Sequence, residues 1–434
     1  MSTPIASQAA TPVAPPPAHP WRWIPTLYFA QGLPYVVVMT LSVVFYKNLG
    51  LNNTEIALYT SWLYLPWVIK PLWSPLVEMV GRKRGWIVGL QFTVGAALAM
   101  VALSVPTTHF FQLTLALFWL MAFASATHDI AADGFYMLAL PQHQQAAFSG
   151  VRSTVYRLSM IAGQGGLVVL AGMLQTAWGD PRAAWSAVFG VLAAAFVLVG
   201  VVHQFVLPVP PLDQRAPRSL HPWRDFFGVF AEFFRKPGIA RILAFLLLYR
   251  FAEAQLVKLV SPFLLDPAAR GGLGLSTEQV GWVYGTVGVS ALTVGGLLGG
   301  WAVSRAGLGR LLWPMVAAVQ LPNLVYVALA AWQPAGLVWI AAALAVEQFG
   351  YGFGFAAYML FMIMVAEGPH RTAHYAICTG FMALGMMLPG MISGWIQAQL
   401  GYPMFFVWVC VATLPAFAAT ALVRVPRDFG RKVE

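Results

Sequence analysis

The sequence predicts an all-α membrane protein with twelve transmembrane helices arranged as two six-helix halves. Three observations predict this fold class. The 434-residue chain is 59% hydrophobic and only 9% charged, and its mean hydropathy is +0.72. Its apolar runs recur at the length of about 20 residues that a helix needs to cross a bilayer. A polar stretch at 208–238, rich in proline and arginine, divides these runs into two sets of six.

Glycine, proline and charged residues bound the apolar runs and set the approximate limits of the predicted spans. The first six spans are predicted at 24–47, 55–77, 85–105, 110–138, 148–174 and 183–207. The second six are predicted at 239–265, 279–303, 310–332, 336–366, 371–399 and 402–424.

The same limits define the predicted domains. Residues 1–20 are rich in alanine and proline and lack the basic start of a cleavable signal peptide, which predicts a disordered tail. The predicted domains are a disordered cytoplasmic tail at 1–20, an N-terminal six-helix bundle at 21–207, a cytoplasmic linker at 208–238 with an interfacial helix at 222–234, a C-terminal six-helix bundle at 239–424 and a cytoplasmic tail at 425–434.

The basic residues indicate the topology. They are concentrated in the loops after the second, sixth and eighth spans and in the C-terminal tail, whereas the opposite loops carry little beyond Lys47, Arg182 and Arg270. The positive-inside rule therefore places both termini and the linker in the cytoplasm. Because the net charge of +10 is spread over short loops, it indicates topology and not nucleic-acid binding.

Two acids in the predicted fourth span are the most informative charged residues. Asp129 and Asp133 are four residues apart, so a helix places them on one face. Ionisable side chains inside spans usually mark a substrate or ion pathway. Because protonation removes the cost of burying a carboxylate, both are candidate proton-coupling residues. The alternative is an ion pair with Arg152 or Arg157 in the next span. The adjacent His128 is either a titrating relay or a hydrogen-bonded packing residue.

The second half has charged candidates of its own. Arg250 and Glu253 are three residues apart in the seventh span, and Lys258 lies two turns beyond Arg250. A cation there could receive an acidic or phosphorylated group, or it could be the counter-ion of Glu253. Glu347 and Gln348 in the tenth span suit sugar recognition or proton binding, with an interhelical hydrogen bond as the structural alternative. The predicted proton-coupling residues are therefore Asp129, Asp133, Glu347 and Glu253.

Amide, aromatic and basic side chains near the middle of several spans predict a substrate site. A few polar groups within an aromatic and apolar wall are typical of sites for small organic ligands. The predicted substrate-binding residues are Gln31, Tyr35, Arg157, Arg250, Lys258, Gln348 and Tyr351.

A weak internal repeat also supports two halves. Residues 74–84 after the second span and 300–310 after the eighth both show a small residue, three spacers, a polar residue, a tight turn and then arginine. In the first copy a carboxylate at a helix end faces arginines across a short glycine turn, which predicts a latch between helices. The alternative is a basic loop that only sets topology. The predicted cytoplasmic gate consists of Glu78, Arg82, Arg84 and Arg305.

Three motifs carry a resemblance to a known family. The first span contains LYFAQGLP at 27–34, the second LPWVIKPLWSPL at 65–76 and the fourth ATHDIAAD at 126–133. With the pairs at 323–324 and 347–348, they resemble the AmpG-type muropeptide permease and acetyl-CoA transporter branch of the major facilitator superfamily. The resemblance implies the major facilitator fold, with twelve helices that import a bulky substrate by proton coupling. For the permeases that substrate is a cell-wall amino sugar or muropeptide. His128 stands where the family usually has glutamine, and no base follows Asp133 closely, which leaves a sugar-importing subgroup open.

We therefore expect a secondary active transporter that imports an amino sugar, muropeptide or related glycan by proton symport and alternating access. Its expected setting is the bacterial inner membrane, as a multi-pass monomer. The sequence contains no nucleotide-binding loop, metal-ligand cluster or catalytic constellation, so no enzyme activity, cofactor, metal or nucleic-acid partner is expected. The alternatives are a membrane sensor without net transport, a membrane-embedded transferase, and a carrier for another bulky organic anion such as a CoA ester or siderophore.

Overall fold

The computed structural model describes residues 19–210, 213, 222–368 and 370–431. Within these ranges the chain consists of helices and short connections, with no β-strand. The predicted all-α membrane fold is thereby confirmed. Of the predicted tail at 1–20, residues 1–18 lie outside the described residues. So do 211–212 and 214–221 of the linker at 208–238 and the last three residues of the tail at 425–434.

The first half contains six spans, which we number α1 to α6. They are α1 at Pro20–Asn48, α2 at Asn53–Trp62 and Leu65–Met79, α3 at Lys83–Ser104, α4 at Phe110–Ala139, α5 at Gly150–Trp178 and α6 at Pro181–Val206.

A short linker helix at Pro222–Phe234 precedes the second half. The second half continues the numbering from α7 to α12. Its spans are α7 at Ile239–Leu248 and Phe251–Leu265, α8 at Thr277–Ala306, α9 at Leu308–Trp332, α10 at Leu337–Val365, α11 at 371–400 and α12 at 402–422.

By length and composition alone, nine helices in the described part of the chain could cross a membrane. One of these nine, Arg371–Leu422, holds both α11 and α12, which are separated by a kink at Gly401 with φ of 71°. The other eight are single spans. The spans α2 and α7 complete the set, and each is divided into two shorter helices.

The two divided spans are interrupted near the middle of the bundle. α2 breaks just before Pro66, whose ring nitrogen has no hydrogen to donate to the helical ladder. α7 breaks at Arg250, whose φ of −109° and ψ of 19° are not helical. Nε2 of Gln320 on α9 donates a 2.9 Å hydrogen bond to the Tyr249 carbonyl oxygen and so satisfies an acceptor beside the break. Discontinuous spans are typical of the binding regions of transporters.

Each half has its own aromatic core. In the first half Phe45 of α1 packs edge-on against Phe189 of α6, with ring centroids 5.2 Å apart. In the second half Phe406 of α12 stacks on Tyr326 of α9 at 5.3 Å and packs edge-on against Phe263 of α7 at 4.7 Å. Aromatic pairs in these geometries add to the energy of burial. These ring contacts lie within single halves, whereas the apolar clusters around them also include residues of the other half, such as Met386 and Ala57.

Four helix pairs join the halves: α1 with α7, α2 with α7, α2 with α11 and α5 with α8. The middle of the α5–α8 pair consists of wide π-helical turns at Ile161–Leu167 and Gly281–Gly288, and the two turns contact each other. Gly285 lies against the backbone of Gln164, where an added Cβ would collide with the carbonyl oxygen. Glycine at this position therefore permits the close approach of the two halves.

The two ends of the bundle differ. We call the end that holds Pro20, Val206, Ile239 and Leu422 the linker end, and the end that holds the α1–α2, α7–α8 and α11–α12 turns the far end. The far-end segments of α5 and α8 are in close contact, whereas their linker-end segments barely touch. α1 likewise contacts α7 through its far-end residues. The halves are thus closed at the far end and diverge along the α5–α8 seam towards the linker end.

Candidate substrate and coupling site

The two acids of α4 both form ion pairs. Oδ2 of Asp129 lies 3.6 Å from Nζ of Lys70 on α2 and accepts a 3.2 Å hydrogen bond from Nε1 of Trp67. Oδ1 of Asp133 accepts a 2.7 Å hydrogen bond from the Arg152 guanidinium on α5. The partner of Asp133 is therefore Arg152 and not Arg157. Lys70, which the sequence did not suggest, is the partner of Asp129.

Aromatic rings hold the Arg152 guanidinium in place. Its central carbon lies 4.6 Å from the ring centroid of Tyr28 and 5.5 Å from that of Tyr136. The side chain of Gln31, a predicted substrate residue on α1, lies beside Asp133, and its Oε1 atom is buried without a hydrogen-bond partner. The charges around Asp133 are therefore balanced, while an amide oxygen remains available for a ligand or a water molecule.

Arg250 lies at the break of α7 and faces aromatic rings of α10. It donates a hydrogen bond to the hydroxyl of Tyr351. Its guanidinium carbon is 5.2 Å from the ring centroid of Tyr351 and 5.1 Å from that of Phe355. The Nε atom is buried and has no hydrogen-bond partner. Arg250 also interacts electrostatically with Tyr35 and Tyr64 of the first half, so it sits where the two halves meet.

Lys258 is a second cation that reaches across the seam. Its Nζ atom donates a 3.1 Å hydrogen bond to Oγ1 of Thr60 on α2 and lies 5.1 Å from the ring centroid of Tyr64. The residue is only 2% exposed. Neither Lys258 nor Arg250 has a carboxylate within ion-pair distance in the described part of the chain. An ammonium group held by one hydroxyl and a ring keeps donors free for an anionic group.

Among the described residues, neither acid of the second half has a basic nitrogen within ion-pair distance, although Glu253 lies near the charge of Arg250. Oε2 of Glu347 accepts 2.9 Å hydrogen bonds from the Tyr326 hydroxyl and from Nε2 of Gln348. Oε1 of Glu347 and Oε2 of Glu253 are buried without hydrogen-bond partners. The two carboxyl groups also interact electrostatically with each other. Buried carboxylates in this arrangement are costly when charged, which suits groups that bind a proton.

Two further predicted substrate residues lie at the seam. Tyr35 of α1 packs edge-on against Trp67 of α2, with ring centroids 5.3 Å apart. Arg157 of α5 lies against Gly296 of α8, where a Cβ would meet its guanidinium. The missing side chain of Gly296 in the second half therefore leaves space for the Arg157 guanidinium of the first half. Together with Arg250 and Lys258, these side chains surround the middle of the seam.

The predicted gate residues lie at the linker end, and Arg84 and Arg305 contact their own halves. The side chain of Glu78 lies outside the described residues, and Arg82 is exposed. Arg84 donates hydrogen bonds to the carbonyl oxygens of Gln204 and Leu207 near the end of α6. Arg305 stacks on Trp301 of its own helix at 5.3 Å. In this conformation Arg84 and Arg305 contact only residues of their own half. A gate between the halves therefore stays a prediction.

The sequence interpretation missed a buried polar chain in the first half. Oε1 of Gln91 on α3 lies 2.9 Å from Nδ1 of His203 on α6, and Nε2 of Gln91 lies 3.2 Å from Nε2 of His128. Because an amide oxygen only accepts and an amide nitrogen only donates, His203 carries a proton on Nδ1 and His128 accepts on Nε2. Thr26 closes the chain 2.9 Å from Nε2 of His203. This arrangement favours the packing interpretation of His128 over the relay.

The fold and site together define a class of protein: a multi-pass membrane carrier whose two halves enclose a charged and aromatic seam. The family profile of the Major Facilitator Superfamily matches residues 26–266, more than half of the chain. The chain therefore belongs to the Major Facilitator Superfamily. The expectation of a transporter and not an enzyme is confirmed by this membership.

Curated relatives extend over nearly the whole chain. The Anhydromuropeptide permease of Escherichia coli is 26% identical over 422 residues, which cover 93% of this chain and 80% of the permease. An uncharacterized protein of Haemophilus influenzae is 27% identical over 411 residues, with 88% of this chain and 89% of that protein covered. The predicted resemblance to the AmpG-type permeases is thereby confirmed.

Solved structures support the fold alone. The crystal structure of the nucleoside transporter NupG matches with a TM-score of 0.66 at 16% identity, covering 92% of this chain and 98% of that one. A bacterial homologue of the human lysosomal transporter Spinster, in an inward-facing and unoccupied conformation, matches with a TM-score of 0.59 at 15% identity, covering 92% of both chains.

Proposed function

We propose that the protein imports an acidic, sugar-containing solute together with protons. Examples are an amino sugar that carries a carboxylate, a muropeptide or a related acidic glycan. One observation carries the proposal. At the middle of the seam, α7 presents two cations, Arg250 and Lys258, and in the described part of the chain neither lies within ion-pair distance of a carboxylate. Glu347 nearby has no cation partner there, and Glu253 has only the more distant charge of Arg250. The site therefore has separate places for an anion and for a proton.

The substrate side rests on chemistry and on a relative. A guanidinium and an ammonium form strong charge-assisted hydrogen bonds to carboxylate or phosphate oxygens. The rings of Tyr351, Phe355 and Tyr64 flank the two cations and offer flat faces to a sugar. The similarity to the Escherichia coli permease named for anhydromuropeptides supports a substrate that combines sugar and acidic groups.

The coupling side rests on Glu347 and Glu253. A buried carboxylate loses its desolvation cost when it binds a proton, so protonation changes which conformation is favoured. A substrate anion at Arg250 changes the electrostatic field at Glu253, three residues away on the same helix. Two ligands that bias the same pair of states become coupled, and the coupling is reciprocal. This is the requirement for symport.

The orientation of the protein in the membrane is inferred from its basic residues. The helix ends at the linker end hold Lys83, Arg84, Arg305 and Arg310, which by the positive-inside rule places that end in the cytoplasm. We infer that the setting is the bacterial inner membrane, with both termini and the linker inside. The divergence of α5 and α8 towards the linker end then corresponds to a conformation that opens inward.

Uptake by proteoliposomes tests the proposal. Labelled amino sugars, anhydro-muropeptides, short neutral glycans, a CoA ester and a siderophore would be offered separately, with and without an inward proton gradient. We expect gradient-dependent accumulation of an acidic sugar-containing solute and none of the neutral glycans. Gradient-independent equilibration would contradict symport. Accumulation of the CoA ester or the siderophore alone would keep an anion carrier but reject the sugar assignment.

A further inference from the structure

A buried polar network joins the two halves at the far end. At its centre, Oδ2 of Asp266, at the end of α7, lies 2.8 Å from Nζ of Lys47 on α1. The same oxygen accepts a 2.7 Å hydrogen bond from the hydroxyl of Tyr402 on α12. Asn53 on α2 donates a 2.8 Å hydrogen bond to that hydroxyl and a 2.9 Å hydrogen bond to Oε1 of Gln397 on α11. Two spans of the first half are thereby tied to three of the second.

The Lys47–Asp266 pair differs from the other ion pairs of the described chain because it alone crosses from one half to the other. It is also well shielded, since the side chains of Lys47 and Asp266 are 12% and 7% exposed. The remaining pairs lie within one half or between the second half and its flanking segments. No other charge pair in the described chain therefore depends on how the two halves are placed.

A second polar contact lies beside the first. Oδ1 of Asn48, the neighbour of Lys47, accepts a 2.8 Å hydrogen bond from Nε2 of Gln175 on α5. The hydroxyl of Thr277 on α8 lies 3.0 Å from Oδ1 of Asn48 and 3.0 Å from Oε1 of Gln175. The two contacts border an open pocket of about 370 Å³ at the seam. Water can therefore reach this edge of the network.

Polar contacts at a moving seam can be exchanged for water. An intramolecular hydrogen bond is replaced by bonds to water when its partners separate, so its net contribution is modest. A buried ion pair is more decisive, because separating its members without hydration leaves charges uncompensated. The network therefore holds the closed state while the halves touch and releases its groups to water once they part.

We propose that Lys47, Asn53, Asp266 and Tyr402 form a far-end latch whose opening exposes the central site to the side opposite the linker. The latch biases the protein towards the conformation of this structure, because its interactions exist in one of the two states only. Weakening the latch shifts the population towards a state open at the far end, without any substrate being present. The latch is thus independent of the identity of the solute.

Thiol labelling in detergent measures this opening. The two native cysteines, Cys378 and Cys410, would first be replaced by alanine. The reporter would be Ala57→Cys, because Ala57 is fully buried in α2 within an apolar cluster that also contains α7 residues. A water-soluble maleimide then reacts at a rate set by the fraction of molecules open at the far end.

Removing one member of the latch should speed labelling. We expect Lys47→Gln and Asp266→Asn each to raise the labelling rate at least tenfold. Tyr402→Phe removes the two hydrogen bonds of one hydroxyl but keeps the ion pair, so it should raise the rate two- to fivefold. Arg270→Gln is the matched control, because Arg270 is an exposed far-end cation outside the network. It should leave the rate unchanged.

Three results would overturn the latch. They are unchanged labelling in monodisperse Lys47→Gln and Asp266→Asn, an equal rise in Arg270→Gln, and a rise that disappears once gel filtration has removed denatured protein. If neither charge variant can be purified folded, Tyr402→Phe decides the matter, because it keeps the ion pair and changes one hydroxyl. An unchanged rate in that variant would then reject the proposal.

Discussion

The two halves of the protein organise their charged residues differently. In the first half each acid of α4 has a basic partner, with Asp129 near Lys70 at 3.6 Å and Asp133 bonded to Arg152 at 2.7 Å. In the second half Arg250, Lys258, Glu253 and Glu347 form no ion pair in the described part of the chain. The first half pairs its acids directly with bases, whereas in the second half Lys258 and Glu347 have no opposite charge close by and Arg250 and Glu253 interact only at a distance.

This difference separates two roles that the same residue types can have inside a membrane. A paired carboxylate joins neighbouring helices and gains little from binding a proton, because its partner would then be left uncompensated. An unpaired buried carboxylate gains from protonation, and an unpaired buried cation gains from binding an anion. We therefore infer that the first half is chiefly scaffold at these positions and that the second half binds solute and proton.

The largest expected effect comes from removing an unpaired cation. Arg250→Gln should weaken the binding of an acidic solute roughly 10- to 150-fold, because a hydrogen bond to a charged group contributes about 1.5–3 kcal/mol. Titration calorimetry in detergent with the solute identified by uptake measures the change. Arg152→Gln, in which the lost charge is paired with Asp133, is the comparison. Equal losses in the two variants would place the anion site in the first half.

A paired lysine should matter more to stability than an unpaired acid. Lys70→Ala should lower the free energy of unfolding by about 2–3 kcal/mol, because it strands Asp129 in a largely buried position. Lys70→Ala combined with Asp129→Ala should recover part of that loss. Glu347→Gln should be neutral or stabilising, because it removes a carboxylate without a cation partner. Thermal unfolding in detergent compares the two single variants and the double variant. A larger loss of unfolding free energy in Glu347→Gln than in Lys70→Ala would refute the distinction between halves.

Much of the fold could be predicted from the sequence, because hydropathy and the glycine, proline and charged residues that bound helices are local features. The separation of α11 from α12 was predicted from residues 399–402 even though the helix is nearly continuous, because a glycine stands at the kink. The break of α2 has a comparable signal in Pro66. The break of α7 at Arg250 has none, since its flanking residues are apolar helix formers and its partner Gln320 is distant in sequence.

The candidate site was predicted as a set of residues but not as a set of partners. Arg152 was a candidate partner of Asp133 because consecutive spans are usually adjacent, whereas Lys70 reaches Asp129 from a span that is not consecutive. The far-end network was missed for the same reason. In the sequence Lys47 is a single basic residue near a loop, and its partner Asp266 lies 219 positions away. Local pattern cannot show which distant faces meet.

A further test concerns coupling. In a symporter that moves one proton with each solute, a gradient of one pH unit is equivalent to about 1.4 kcal/mol and accumulates solute about tenfold. Glu347→Gln cannot take up a proton at this position and should reduce accumulation to about onefold while exchange of solute continues. Counterflow and net uptake in the same vesicles measure the two activities. Loss of both together would mark Glu347 as structural.

The smallest effect is expected at the more exposed of the two ion pairs of α4. The side chains of Asp133 and Arg152 are 40% and 35% exposed, so solvent weakens their attraction and Asp133→Asn should lower the unfolding free energy by no more than about 1 kcal/mol. The Arg152 guanidinium would still rest on Tyr28 and Tyr136, which limits the cost of losing its partner. Gradient-driven accumulation should be unchanged in this variant. If Asp133→Asn abolished accumulation while Glu347→Gln retained it, the coupling acid would belong to the first half, and the roles assigned to the two halves would have to be exchanged.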